Sequence, residues 1–226
     1  MSEKVMLIGG SGHAKVVIDC IRSAGDTPVG ILDDGLAVGT RVLDVPVLGT
    51  TDGWKDYAGC SFVIAIGSNA VRRRLAKTVQ ARWYSAIHPK AVVSEYASLG
   101  QGTVVMPGAV INAGARVGDH CIVNTCAVVE HDCYLEDFVH VSPKAALGGT
   151  VTVGNGSWIG IGAAVRNNLE ICGGCVIGAG AAVVKNITQP GTYVGVPAKQ
   201  IAVPPREFLY TVHPGDSGIS STPSFR

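Results

Sequence analysis

The clearest pattern in the chain is an aliphatic residue at every sixth position between Ile87 and Val183. Four residues after each aliphatic position stands a mostly small residue, such as Ala91, Ala109 or Cys121. This period fits neither a helix, which repeats at about 3.6 residues, nor a strand, whose side chains alternate. A coil with three short strands per turn satisfies it, because the aliphatic side chains then stack inside. The pattern predicts a left-handed parallel β-helix, a triangular prism with eighteen residues in each turn.

A different pattern, strands alternating with helices, precedes the prism. Apolar runs over residues 4–10, 28–32 and 61–67 predict buried strands, and the stretches after Gly12 and Ser68 predict helices. Such alternation is typical of a small parallel sheet of the Rossmann type, which binds ligands at the carboxyl ends of its strands.

The two patterns divide the chain into three parts. We predict a mixed α/β domain over residues 1–82, an all-β helix over 83–199 and a C-terminal tail over 200–226, because prolines near residue 197 cannot continue the coil. Between Trp83 and Pro89 the chain enters the coil without a flexible linker. The first domain is therefore expected to sit rigidly over the end of the prism and to cover a strand edge there.

Composition and charge remove several classes of function. Hydrophobic residues make up 47% of the 226 residues and charged residues 15%, so a substantial core is expected. A formal net charge of +1, without any basic run, gives no electrostatic footprint for nucleic acid or an anionic membrane. No signal-peptide pattern or membrane-spanning apolar run is present. We expect a cytoplasmic protein.

The seven cysteines raise the question of a metal site or disulfides, above all Cys172 and Cys175, which form a CxxC pair. Cys121, Cys133 and Cys175 occupy the small inward position of the repeat, where a free thiol packs as a compact apolar side chain. The register therefore favours unpaired structural cysteines.

A glycine turn, GGSGH over residues 9–13, joins the first strand to the first helix. Backbone N–H groups at a helix N-terminus favour a phosphate, although the glycine spacing is shorter than in the dinucleotide fingerprint and a plain tight turn stays open. Asp33 and Asp34 end the second strand, where an acid reaches a ribose or base; a solvated turn fits equally well. Ser68, Asn69 and Arg72 follow the third long strand, and Arg72 also fits a surface charge.

Most outward positions of the coils are small, apolar or neutral, but Glu130, His131 and Asp132 are not, and His140 follows nine residues after His131. A histidine beside a carboxylate has the parts of a general base, because the acid selects the ring tautomer and stabilises the imidazolium. His131 is the candidate base, whereas His140 fits a catalytic group and a partly buried wall residue equally. Nine residues are half a turn, so the two histidines are predicted on different sides of one prism.

Several segments, taken together, carry a family resemblance over residues 4–199. They are GGSGHAKVV, ILDD, IAIGSN with Arg72, the uninterrupted hexads, VVEHDC, HVSPKAALGG and VGVPAK. This set resembles the nucleotide-sugar N-acetyltransferases of bacterial glycan synthesis, a group within a wider family that includes the sialic acid O-acetyltransferases. The resemblance implies acetyl transfer from acetyl-CoA to the 4-amino group of a nucleoside-diphosphate amino-dideoxy sugar, by a homotrimer that needs no metal.

By position, the resemblance also implies roles for single residues. His131 would be the general base, Glu130 the acid that orients it, and His140 a histidine near the acetyl carbonyl. The backbone N–H of Gly149 would meet the developing oxyanion. The residues implied as substrate contacts are Asn124 for the sugar and Gly10, Gly12, His13, Asp33, Asp34, Ser68, Asn69 and Arg72 for the nucleotide.

Three other functions stay open. A sialic acid O-acetyltransferase would use the same base on a hydroxyl group. A zinc lyase of the γ-carbonic anhydrase type shares the prism and would need His120, His131 and His140 at a subunit interface, which leaves Glu130 without a role. A catalytically inactive scaffold gives no reason for the pairing of Glu130 with His131.

Overall fold

The structure, a computed structural model, describes residues 2–201 and begins with a small α/β domain, here called the first domain. In chain order its elements are β1 (Lys4–Ile8), α1 (Gly12–Ser23), β2 (Thr27–Leu32), β3 (Arg41–Val42), β4 (Val45–Gly49), a 3-10 helix (Thr51–Tyr57), β5 (Ser61–Ile64) and α2 (Asn69–Thr78). The sheet order is β3-β4-β2-β1-β5, and the pairs are parallel except β3 with β4. The Rossmann-like prediction is confirmed.

Helices cover both faces of this sheet. The side chains of β1 alternate between the two faces, and those on both faces are apolar. Val5 and Leu7 share a core cluster with residues of α1, whereas Met6 and Ile8 share one with Leu75 of α2. Continuous apolar strands are typical of parallel sheets that are buried on both sides. The candidate nucleotide-binding residues follow the carboxyl ends of β1, β2 and β5, at one edge of this sheet.

The rest of the described chain forms the predicted three-sided prism, whose faces we name by their number of strands. The eight-stranded face contains Ala86–Ile87, Val104–Val105, Ile122–Val123, His140–Val141, Trp158–Ile159, Cys175–Ile177, Gly191–Val194 and Lys199–Ile201. The six-stranded face contains Val92–Val93, Val110–Ile111, Val128–Val129, Ala146–Leu147, Ala164–Val165 and Ala182–Val183. The five-stranded face contains Ser98–Leu99, Arg116–Val117, Tyr134–Leu135, Thr152–Val153 and Glu170–Ile171.

Each prism strand pairs with the strand one coil away, as Val110 does with Val128. The aliphatic residue of every hexad from Val105 to Val183 is buried in one continuous core. Burial of such a side chain is worth about 1.5–3 kcal/mol, which is why the six-residue period dictates the coil. Cys121, Cys133 and Cys175 are buried in this core, at the small inward position that the register assigned to them. All seven cysteines are free thiols in the structure.

The corners of the prism require a left-handed backbone at the second of two corner residues. Gly114 has a φ of 75° there, and Asp132, one coil later, has a φ of 58°. This conformation costs a non-glycine residue about 1–2 kcal/mol. For Asp132 it directs the carboxylate to the ring of the preceding residue, His131.

The first domain packs along the eight-stranded face, so the prediction that it sits over the end of the prism is wrong. The outward side chains of Ala86, Val104 and Met106 are buried in the cluster that contains α1. Cys20 Sγ of α1 lies 3.5 Å from Met106 Sδ. These three outward residues are apolar and form a better packing surface than the strand edges at the end of the coil.

After the prolines the chain turns back, because Lys199–Ile201 pairs antiparallel with Gly191–Val194 and does not continue the parallel coil. Residues 202–226, most of the expected tail, lie outside the described residues. None of the helices within residues 2–201 combines the length and apolar character needed to cross a membrane.

Candidate active site

The corner between the six-stranded and five-stranded faces carries an exposed histidine–carboxylate pair. His131 Nδ1 lies 2.9 Å from Asp132 Oδ2, and the two side chains are 61% and 63% exposed. A carboxylate at this distance accepts the Nδ1–H and leaves Nε2 with a free lone pair. The pair has the arrangement of a general base that is open to a substrate.

The acid implied by the resemblance, Glu130, does not contact the ring of His131. Its Oε2 accepts from Asn112 Nδ2 at 2.9 Å and from the backbone N–H of His131 at 3.3 Å. Glu130 occupies an outward position of the six-stranded face, whereas the ring extends from the corner towards Asp132. In this chain Asp132 therefore orients the imidazole, and Glu130 holds the backbone that carries it.

Gly149, one coil beyond His131, lies directly against the imidazole. A methyl group at this position would be 2.4 Å from His131 Nε2. The N–H of Gly149 donates to no acceptor within residues 2–201, while its carbonyl accepts from Asn168 N at 2.9 Å. A free N–H beside a basic nitrogen suits acyl transfer, in which a base and an oxyanion donor act on one centre.

His140 is separate from this corner and lies on the eight-stranded face. The residue is 6% exposed, and its ring stacks on that of Trp158 with centroids 5.1 Å apart. Burial lowers the pKa of His140 well below its usual value, and the nearby charges of Arg72 and His13 lower it further. The structure places the two histidines on different sides of the prism, as predicted, and within one chain His140 is a buried wall residue.

Asn124, implied as a sugar contact, uses both of its amide atoms within the chain. Oδ1 accepts from the backbone N–H of Thr125 at 2.8 Å, and Nδ2 lies 3.1 Å from His140 Nε2. The resemblance placed it at the sugar, but here its polar atoms hold a histidine.

The glycine turn of the first domain is held by Asp33. Asp33 Oδ2 accepts from Gly10 N at 2.7 Å, and Oδ1 accepts from Gly35 N at 2.8 Å and Leu36 N at 2.9 Å. A carboxylate that receives three backbone N–H groups shapes a turn, which is the second of the two roles considered from the sequence. Asp34 is exposed, and its Oδ1 accepts from Thr51 N at 2.8 Å.

Gly12 and His13, next in the turn, differ in accessibility. Gly12 begins α1, and apart from its chain neighbours and the backbone of the helix itself no atom lies within 4 Å of where a Cβ would stand. His13 is partly buried, with its Nε2 enclosed, and burial together with the charge of Arg72 lowers its pKa to about 4. Ser68 caps α2, since its hydroxyl accepts from Val71 N at 3.5 Å.

Asn69 and Arg72 were expected among the nucleotide contacts, but both are engaged by the prism. Asn69 Nδ2 donates to the Gly156 carbonyl at 2.9 Å. Arg72 is 1% exposed and donates to the carbonyls of His120 and Phe138, at 3.0 and 3.1 Å. Arg72 is not the surface charge that the sequence allowed, because docking of α2 on the prism encloses it.

The histidines considered for zinc lie in different surroundings. His120 is buried between Trp83 and Phe138, with ring centroids 4.6 and 5.5 Å away. His131 is exposed at a different corner of the prism. Within residues 2–201 no group of three or more His, Cys, Asp or Glu side chains is placed to hold a metal ion.

Sequence reasoning named Asp132 beside His131 but gave the orienting role to Glu130, and it missed Trp158 as the partner of His140. The signal for Asp132 was its place in the repeat, since it is the second corner residue and so takes a left-handed backbone. Trp158 lies eighteen residues after His140, which makes it the strand neighbour on the same face. Both relations follow once each residue of the repeat is assigned to a corner or to a face of the prism.

Comparison with known proteins agrees with this architecture. The family model described as the PglD N-terminal domain matches residues 4–79, and the bacterial transferase hexapeptide model matches residues 96–131. A curated relative, UDP-N-acetylbacillosamine N-acetyltransferase of Bacillus subtilis, is 39% identical over 111 residues, which cover 46% of this chain and 51% of that protein. The match thus spans about half the length of this relative.

Solved structures match over a larger share of the chain. The acetyltransferase domain of PglB from Neisseria gonorrhoeae, in complex with acetyl coenzyme A, has a TM-score of 0.85 and 38% identity over 89% of this chain and 100% of that one. PerB from Caulobacter crescentus, in complex with CoA and GDP-perosamine, has a TM-score of 0.83 and 41% identity over 88% of this chain and 97% of that one. With both halves of the fold and the His131 corner in place, the chain belongs to the nucleotide-sugar N-acetyltransferase family of left-handed β-helix acyltransferases.

Proposed function

We propose that this protein transfers the acetyl group of acetyl-CoA to the 4-amino group of a nucleoside-diphosphate amino-dideoxy sugar. The observation that carries the proposal is the position of His131 Nε2 against Gly149, whose N–H is free, with Nδ1 held by Asp132. The relatives that bind acetyl-CoA, CoA or GDP-perosamine support the choice of substrates.

The chemistry follows from these positions. An amine attacks a thioester only in its uncharged form, so His131 Nε2 removes a proton from the amine as the C–N bond forms, a contribution of about two to four orders of magnitude in rate. The Gly149 N–H stabilises the tetrahedral oxyanion, for which one donor is worth about a hundredfold or more. Asp132 stabilises the imidazolium that results. Collapse of the intermediate breaks the C–S bond, and the leaving thiolate of CoA takes the proton from the imidazolium, which restores neutral His131.

The first domain supplies the proposed nucleotide site. Gly12 is open at the N-terminus of α1, where unpaired N–H groups favour a phosphate. Asp34 is exposed and follows β2, and Ser68 follows β5. Because these strands are parallel, both residues lie at the same edge of the sheet. Asp33 contributes by holding this turn in shape.

We further propose a homotrimer with a shared cleft. The outward column of the six-stranded face is small and apolar, which suits contact with a second prism: Val92, Val110, Val128, Ala146, Ala164 and Ala182. His131 lies at the border of this face, so a neighbouring prism would form the other wall of its cleft. Sedimentation equilibrium is expected to give three times the 23.3 kDa of one chain; a monomer would contradict the trimer.

The activity is tested by incubating the protein with acetyl-CoA and UDP-, GDP- or dTDP-linked 4-amino-4,6-dideoxy sugars. We expect thiol release with one of these acceptors and a product that carries one added acetyl group and resists alkaline hydroxylamine, as an amide does. A product cleaved by hydroxylamine would be an ester and would favour the O-acetyltransferase. Thiol release with no acceptor in the panel would contradict the proposed substrate class.

Gly12→Val is expected to abolish binding of the nucleotide-sugar and to spare acetyl-CoA. The side chain enters open space, so the fold tolerates it, but it blocks the approach of a phosphate to the helix N-terminus. Calorimetric titration of each ligand measures the two affinities. Gly59→Ala, also in open space but away from the turn, is the matched control. Equal loss of both ligands in Gly12→Val would contradict this assignment.

Asp132→Asn and Glu130→Gln separate the two acids beside His131. We expect Asp132→Asn to lower kcat about tenfold to a hundredfold, because the amide stabilises the imidazolium poorly and no longer selects its tautomer. Glu130→Gln keeps an acceptor for the backbone N–H of His131 and is expected to change kcat only a few-fold. The reverse order in steady-state rates would return the orienting role to Glu130.

A further inference from the structure

The core behind the candidate active site holds a thiol that the proposed chemistry does not use. Cys133 follows His131 by two residues, at the small inward position of its hexad, and is 1% exposed. Its Sγ donates to the carbonyl of Gly148 at 3.2 Å. Within residues 2–201 no backbone N–H donates to this carbonyl, so the thiol supplies the donor that the carbonyl requires.

This thiol is an exception at the corner that carries His131. In the other coils, side chains without a donor hold the equivalent inward position of this corner: Ala97, Ala115, Val151 and Leu169. The coil therefore folds at this corner without an inward donor. The donor at Cys133 occurs at the coil whose carbonyl partner lies next to Gly149.

The carbonyl that accepts from Cys133 belongs to the same peptide unit as the N–H of Gly149. This peptide bond is trans, since the one cis bond of residues 2–201 precedes Pro197. In a planar trans peptide the C=O and the N–H point in opposite directions. Because the C=O is directed inward at a core thiol, the N–H is directed outward, to the side where the ring of His131 lies against Gly149.

The second peptide plane of Gly149 is held from another direction. Its carbonyl accepts from Asn168 N at 2.9 Å and from the Thr150 hydroxyl at 2.6 Å. A glycine has more backbone freedom than any other residue, so both planes need a partner if its N–H is to keep one direction. An oxyanion donor is effective when it is aimed before the substrate arrives, because no reorganisation is then needed during the reaction.

The thiol has to keep its proton in order to act as a donor. Burial raises the pKa of Cys133, the charges of Glu130 and Asp132 raise it further, and nearby backbone N–H groups offset part of the rise. The side chain is therefore a neutral thiol at the pH at which His131 acts as a base. Its hydrogen bond also polarises the peptide, which makes the Gly149 N–H a better donor.

We propose that Cys133 is a positioning residue, which holds the peptide between Gly148 and Gly149 from inside the coil and so directs the Gly149 N–H at the oxyanion. Its sulfur is enclosed in the core and takes no part in bond making or bond breaking. The effect on turnover rests on the proposed acetyl transfer, whereas the orientation of the peptide does not.

Cys133→Ala and Cys133→Ser separate the loss of the donor from the loss of the cysteine. Cys133→Ala is expected to lower kcat about tenfold with little change in KM for either substrate, because the N–H acts on the transition state. Cys133→Ser supplies a hydroxyl donor and should keep kcat within about twofold of the wild-type value. Ser157 supports this choice, since its hydroxyl holds an inward position and donates to Cys172 O at 3.0 Å.

Cys121→Ala is the matched control, because Cys121 is equally buried and its Sγ donates to Glu136 O at the same 3.2 Å, at a different corner. Both alanine variants should lose similar thermal stability, but Cys121→Ala should leave kcat unchanged. Cys133→Val fills the space without a donor, as Val151 does one coil later, and carries the test if Cys133→Ala fails to fold. Wild-type kcat in a folded Cys133→Ala or Cys133→Val, or an equal loss in Cys121→Ala, would overturn the proposal.

Glycine-selective 15N labelling of the full chain reads the peptide without any substrate. A hydrogen bond to a carbonyl withdraws electron density from the nitrogen of the same peptide. The 15N signal of Gly149, assigned by its loss in Gly149→Ala, should therefore move upfield in Cys133→Ala and stay near its wild-type position in Cys133→Ser and Cys121→Ala. An unchanged signal in Cys133→Ala would overturn the positioning role. The expected shift in a protein that transfers no acetyl group would refute the proposed function and support the orientation of the peptide.

Discussion

His131→Ala is expected to lower kcat for acetyl transfer by about two to four orders of magnitude. The imidazole is the group with a free lone pair beside Gly149, and the water that replaces it is a far weaker base. The side chain is 61% exposed, so its removal leaves the core of the prism unchanged. Thiol release from acetyl-CoA measures the rate, and thermal unfolding of the same sample is expected to match the wild type.

His88→Ala is the matched control for this prediction. His88 is a partly exposed histidine near the first coil, where its Nδ1 accepts from Lys90 N at 3.0 Å. Its replacement is expected to leave kcat within a few-fold of the wild-type value. A folded His131→Ala protein with turnover within about tenfold of wild type would remove His131 as the base.

Gly149→Ala is expected to reduce kcat about a hundredfold with only a small change in thermal stability. The added methyl group would meet the ring of His131 at 2.4 Å. Because that ring is exposed, it rotates away at little cost to folding, but Nε2 then leaves the position beside the oxyanion donor. Stopped-flow measurement of a single turnover separates this effect from substrate binding.

The double variant tests the cause of that loss. If the methyl group acts by displacing the ring, Gly149→Ala should add little in a His131→Ala background, so the two effects are far from additive. Full additivity would show that alanine at position 149 disturbs the oxyanion donor or the coil by itself. Gly59→Ala, which adds a methyl group in open space on the first domain, should be neutral in both backgrounds.

The prism was predictable because one repeated constraint acts along half of the chain. A buried aliphatic residue at every sixth position, from Val105 to Val183, allows a single arrangement of strands, and the same register placed His131 at an outward corner. The opposite sides of His131 and His140 followed from counting half a turn. These conclusions rest on local periodicity and burial, which a sequence expresses directly.

The choice between Glu130 and Asp132 was decided by backbone geometry. Both acids flank His131 in the chain, and only the left-handed φ of 58° at Asp132 brings a carboxylate to Nδ1. The sequence gives both acids the same separation from His131, whereas at a corner of the prism their side chains point in different directions. The resemblance to a family pointed to Glu130, whereas in the structure the carboxylate of Asp132 meets the ring.

The sequence alone determined the coil, the parallel sheet of the first domain and the candidate base, because each depends on side-chain type at a fixed spacing. Only the tertiary structure decided that the first domain lies along the eight-stranded face, that Arg72 is enclosed between that domain and the prism and that Asn124 holds His140. These relations join residues far apart in the chain, and they depend on which surfaces pack together. Apolar outward residues such as Val104 and Met106 favour that packing. Their role can be recognised only in three dimensions, where the three faces of the coil can be compared.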